Sequence, residues 1–169
     1  MPKPTPHLQR LPAQTTCTNP GKVWLIGTKN LRSPSVSRER FLERQADALA
    51  IASRLAEAVA QPESPLIRDA TIQRFEFTFE IIWKTLKLYL ERQGYDCGGP
   101  RPTLKRAFAE NLINSPEEAD TWLRMLEDRN LTTHAYNEAL ASRIHDHIVH
   151  AYSPLLLGMA RRIQSLSWD

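Results

Sequence analysis

The stretch Arg74-Phe75-Glu76-Phe77-Thr78-Phe79-Glu80-Ile81 alternates apolar and polar residues, the period of a half-buried strand. A longer window reverses that reading. Glu76, Glu80, Lys84, Lys87 and Glu91 recur at i+4, i+4, i+3 and i+4, which draws one polar stripe along a helix. Glu80 also precedes Lys84 in the favoured i, i+4 order. The remaining circumference carries Phe75, Phe79, Ile82, Trp83, Leu86, Tyr89 and Leu90. So wide an apolar arc predicts a central helix over about 66–93, packed on more than one side, with room for a second subunit among its neighbours. With this segment helical, the whole chain reads as all-α.

Outward from that helix, Gly94 is its expected C-cap. Gly98-Gly99-Pro100-Arg101-Pro102 is a loop, and it lacks the Lys-Ser/Thr ending of a phosphate-binding P-loop. A short helix follows at about 103–112, with Leu104, Ala107, Phe108 and Leu112 inward. Ser115-Pro116-Glu117-Glu118 reads as a helix start, with Ser115 capping, Pro116 in the first turn and Glu118 closing a capping box. The helix it opens buries Trp122, Met125 and Leu126 and ends at Arg129. Trp83 and Trp122 both read as core. Asn137 is placed to cap a long last helix, about 138–165, striped by Leu140, Ile144, Ile148, Ala151, Leu155 and Met159, with a kink expected at Pro154. On the N-terminal side, Ser37 is the expected cap of a helix over about 38–60. Its apolar face is Phe41, Leu42, Leu49, Ala52, Leu55, Ala56 and Val59, and Pro62 and Pro65 separate it from the central helix.

Residues 1–37 differ in kind. They hold six of the twelve prolines, five basic residues and no acid, which predicts a disordered or loosely docked tail. Val23-Trp24-Leu25-Ile26 is its one apolar island, able to form a strand or to dock. Such a tail either touches RNA through its charge or is a plain extension from an upstream start. Residues 38–169 carry 17 basic and 19 acidic residues, so the formal +3 of the whole chain does not describe a basic nucleic-acid platform. A chain of 169 residues, 41% hydrophobic, suits one domain with a substantial core. No apolar run approaches the ~20 residues that span a bilayer, and the N-terminus has no secretory h-region. Cys17 and Cys97 are isolated in sequence, which fits a reduced, cytoplasmic setting.

The chemistry concentrates in Glu127-Asp128-Arg129-Asn130-Leu131-Thr132-Thr133-His134-Ala135-Tyr136. On one ideal helix Arg129 and His134 stand ~140° apart, so they converge only if the helix loosens or a dimer interface joins them. The β-branched pair Thr132-Thr133 and the cap at Asn137 predict that loosening. A guanidinium that grips phosphate through two N–H groups, beside an imidazole that moves protons near neutral pH, suits phosphodiester cleavage of RNA, whose 2′-hydroxyl is the nucleophile. Asn130 can orient either group or donate to phosphate, and Asp128 and Thr133 are further binding candidates. This chemistry needs neither metal nor cofactor. The plainer alternative makes Asp128-Arg129 a surface ion pair and His134 a polar residue flanking a helix. His145, His147 and His150 do not line one face as an i, i+4 metal pair would, and read as solvated or partly buried histidines.

Two motifs, Arg74–Glu80 continued by Trp83-Lys84-Thr85-Leu86-Lys87, and Trp122 through Tyr136, resemble the nucleotidyltransferase substrate-binding proteins. These are helical bundles of the HEPN superfamily related to the HepT toxins, and the resemblance spans about 38–165. It implies an antiparallel four-helix-type bundle with a short extra helix, a homodimer, and a small nucleotidyltransferase as partner. It also implies that Arg129 and His134, as R-x4-H, form a ribonuclease site at the dimer interface, and that Tyr136 is the position the partner modifies with AMP. Members that only present a substrate to the transferase are the second possibility that the resemblance carries.

Overall fold

The computed structural model describes residues 34–134 and 137–168, with side chains from Arg38 onward except that of His134. The apolar island at 23–26, Cys17 and Tyr136 lie outside the described residues. The described chain is helical: α1 (Pro34–Val59), α2 (Pro65–Arg92), α3 (Pro100–Ala109), α4 (Pro116–Leu131), a 3-10 turn (Thr132–His134), α5 (Glu138–His147), a π turn (Ile148–Tyr152) and α6 (Ser153–Gln164). The segment around Phe75 is helical, as the longer window required. No strand occurs among the described residues, and no described helix is long and apolar enough to cross a membrane.

Local chemistry sets the boundaries. Ser64 caps α2 by accepting from the Ile67 N–H, and Pro65 fills the first turn, where a missing N–H costs nothing. At the other end Gly94 adopts φ +92°. The Tyr95 N–H then reaches the Leu90 carbonyl at 3.1 Å and the Gly94 N–H reaches that of Glu91 at 3.1 Å, a Schellman closure. Ser115 accepts from the Glu118 N–H at 3.1 Å, while Glu118 accepts from the Asn114 N–H, one residue before the expected partner. Asn137 caps α5 through the Leu140 N–H at 3.1 Å. The cap expected at Ser37 does not form: α1 starts at Pro34, so the last four residues of the predicted tail belong to the helix.

Helix α2 is the centre of the bundle and touches α1, α3, α4, α5 and α6. Short connections between packed neighbours make the long helices antiparallel. The core joins Phe75, Phe79, Ile82, Leu86 and Leu90 of α2 to Leu55 of α1, Trp122 and Met125 of α4, and Ile144, Leu156 and Ile163 of the last helical run. Each such side chain contributes about 1.5–3 kcal/mol on burial. The buried face of α1 differs from the sequence reading. Leu42 is exposed, and Gln45 is buried instead, its amide donating to the Ile163 carbonyl at 2.6 Å and the Leu166 carbonyl at 3.1 Å. Trp122 is fully buried, but Trp83 is only partly so, with Lys84 over its ring. Phe108 of α3 is exposed as well.

The last helical run is where Pro154 acts. Proline has no N–H for the carbonyl four residues back, and its ring crowds that carbonyl. The helix widens, and the Ser153 N–H bonds to Ile148, five residues back. The wide turn absorbs an extra residue, so the buried stripe runs Ile144, Ile148, Tyr152, Leu156 rather than through Ala151 and Leu155 as expected.

Candidate functional site

The site is built on the last turn of α4. Arg129 leaves that turn toward α2, and its guanidinium pairs with Glu80 at 3.0 Å. Its Nε is buried without a hydrogen-bond partner among the described residues. Glu80 also holds Lys84 at 2.7 Å through its other oxygen. One turn earlier on α2, Glu76 accepts from the Thr132 hydroxyl, which sits beside the Arg129 carbonyl at 2.7 Å. Glu76 and Glu80, read from sequence as part of a polar stripe, thus receive the end of α4. Their i, i+4 spacing on a central helix was the available signal.

Beyond Leu131 the α-helix gives way to the tighter 3-10 turn Thr132–His134, a departure from regular helix at the place where Thr132-Thr133 predicted one. Both threonine hydroxyls turn back onto carbonyls three residues earlier, Thr132 onto Arg129 and Thr133 onto Asn130 at 3.2 Å. This local bonding competes with continuation of the helix. The backbone of His134 closes the turn, and its side chain lies outside the described residues. Asn130 and Thr133 are exposed at the helix end.

Asp128 is placed differently from the surface ion pair that the sequence allowed. It is buried, and it turns away from Arg129 to the last helical run. Its Oδ2 accepts from the Tyr152 hydroxyl at 2.6 Å and lies 2.7 Å from His147 Nδ1. The Tyr152 ring stacks on Phe75 with centroids 5.5 Å apart, which ties the polar cluster to the core. Burial first, then the hydrogen bond to Asp128, pushes the Tyr152 hydroxyl well above its ordinary pKa. Neither His147 nor Tyr152 was singled out as a partner of Asp128, because 19 and 24 residues separate them and the spacing carries no signal. The three histidines of α5 and the π turn part company: His145 is buried, 4.0 Å from Glu63, whereas His147 is 45% exposed. Among the described residues no three His, Cys, Asp or Glu side chains converge as a metal would require.

Beside Glu76 a groove of about 580 Å³ runs along α2, lined by Leu66, Asp69, Ala70, Ile72, Gln73 and Thr132. Leu66 is 77% and Phe77 55% exposed on the outer stripe of α2, and Leu131 is exposed where α4 ends.

An antiparallel all-α bundle, with Arg129 on the last turn of a helix that gives way to a 3-10 turn, is the class of protein that the fold defines. Residues 40–165 match the model of the family described as nucleotidyltransferase substrate binding protein like, and the chain belongs to that family. A protein from Thermus thermophilus, known by its crystal structure, is 38% identical, with a TM-score of 0.64 over 69% of this chain and 98% of that one. No protein of curated function matches the chain. The family name ties its members to nucleotidyltransferases and supports a subunit of such a system.

Proposed function

We propose that this chain is the HEPN-type subunit of a two-component nucleotidyltransferase system and acts in the cytoplasm as a metal-independent endoribonuclease. In this reading Arg129 binds the scissile phosphate, His134 transfers a proton and Asn130 orders the phosphate or the imidazole. A cognate small nucleotidyltransferase silences the site by moving AMP onto Tyr136, which sets phosphate charge and bulk two residues from His134. The observation that carries the reading is Arg129 itself. It sits on the last turn of a helix, partly buried, held among the described residues by one carboxylate, with the turn that bears His134 beginning three residues on. A partly exposed ion pair contributes about 0–1 kcal/mol, so a phosphodiester can displace Glu80 from Arg129. Family membership supports the partner.

The functional unit in this reading is a homodimer joined through the outer face of α2. Leu66, Ala70, Gln73 and Phe77 follow one another at helical spacing there, and the groove at Glu76 runs beside them. A second reading makes the chain a non-catalytic subunit that binds a substrate or nucleotide for the transferase. The neutralised state of Arg129 and the family's description favour it.

Cleavage of single-stranded RNA by the purified protein in EDTA separates the two. Tyr136 is first shown free of AMP by mass spectrometry. The ribonuclease reading expects cleavage that falls at least ~100-fold in folded His134→Ala and Arg129→Ala. No cleavage by the folded, unmodified protein would leave the binding subunit.

A further inference from the structure

We propose that His147 is a second proton-transfer group of this site, with Asp128 and Tyr152 as its positioning residues. The inference rests on the ribonuclease reading above and extends it to residues outside the R-x4-H motif. Cleavage of RNA needs two proton movements on opposite sides of phosphorus. A base must take the 2′-hydroxyl proton as the 2′-oxygen attacks phosphorus. An acid must protonate the 5′-oxygen as the P–O5′ bond breaks, leaving a 2′,3′-cyclic phosphate and a free 5′-hydroxyl. His134 can fill one of these roles.

The geometry for the other is present at Asp128. A buried carboxylate 2.7 Å from Nδ1 holds the Nδ1–H tautomer of His147, which leaves the lone pair on Nε2. That nitrogen has no hydrogen-bond partner among the described residues, and the ring is half exposed. Tyr152 donates to the same carboxylate oxygen and keeps it from turning away. The arrangement depends on the π turn. His147 and Tyr152 are five residues apart, and on a regular α-helix they would diverge by ~140°. The widened turn Ile148–Tyr152 brings both onto one oxygen, and π turns are frequent at functional sites. Asp128 precedes Arg129 directly, so the two Cα atoms are ~3.8 Å apart. Asp128, which holds His147, and the phosphate-binding Arg129 therefore stand together on the last turn of α4, one facing the last helical run and the other α2.

A structural strut is the competing account, and the variants are chosen to separate the two. His147→Asn places an amide N–H where Nδ1–H stood, so the contact to Asp128 survives while the base at Nε2 is lost. His147→Ala opens space for free imidazole. The full chain, with Tyr136 shown unmodified, is assayed on end-labelled single-stranded RNA in EDTA, with thermal unfolding measured in parallel. Expected are wild-type unfolding for His147→Asn, a loss of cleavage of ~100-fold or more, and recovery of His147→Ala, but not Arg129→Ala, by added imidazole. Cleavage by His147→Asn within about threefold of wild type would overturn the inference while the ribonuclease reading stands on His134→Ala. Failure of imidazole to restore folded His147→Ala would overturn it equally. Inactive wild-type protein would remove the ribonuclease reading and this inference together, an outcome recognised before any His147 variant is compared.

Discussion

Asp128 and Arg129 are neighbours in sequence and face different partners, one the last helical run and the other α2. A helix turns each successive side chain by about 100°, so adjacent residues in one motif serve different faces. Tyr152 shows what the inward-facing partner contributes. Its hydroxyl donates to a buried carboxylate, and hydrogen bonds to charged groups contribute about 1.5–3 kcal/mol. Tyr152→Phe keeps the ring on Phe75 and removes only that bond, so a stability loss of about 2 kcal/mol is expected in urea denaturation. The pH dependence has a definite sign. Tyr152 ionises near 10 when unfolded and well above that when folded. Above pH 10 the unfolded chain therefore binds fewer protons than the folded one, and stability falls as pH rises. Tyr152→Phe should flatten that decline; an unchanged slope would show that other groups cause it.

At the scale of elements, the caps Ser115 and Asn137 and the closure at Gly94 were named from sequence, whereas the cap at Ser64 was not and the one expected at Ser37 did not form. Gly94→Ala meets no atom within 4 Å, yet it must hold φ +92°, which an L side chain resists. The expected loss is about 1 kcal/mol, read as a lower thermal midpoint with an unchanged helical circular-dichroism spectrum. The π turn was not legible. Pro154 announced an irregularity, but a kink and an inserted residue look alike in sequence. The inserted residue moved the buried stripe to Tyr152 and Leu156 and brought Tyr152 to Asp128.

For the molecule as a whole, the outer stripe of α2 leaves Leu66 and Phe77 exposed beside the groove at Glu76. Under the dimer reading, Phe77→Glu puts a charge into an apolar interface and should weaken self-association at least ~10-fold in analytical ultracentrifugation, with monomer folding intact. A wild-type chain that is monomeric at high concentration would remove the dimer. Under the ribonuclease reading, the loss of cleavage in Phe77→Glu should follow the loss of dimer rather than of fold.

Periodicity and caps determined the all-α class, the central place of α2, and the break in helix after Arg129. These are local properties, written in residues within one or two turns of each other. The polar stripe at Glu76 and Glu80 was equally plain, but its role was not, because a stripe has the same spacing whether it meets water or another helix. Only tertiary packing chose α4 as its partner, placed Gln45 rather than Leu42 in the core, and joined Asp128 to His147 and Tyr152. Those contacts span 19 to 121 residues, and they depend on how helices are rotated against one another, which no short window of sequence records.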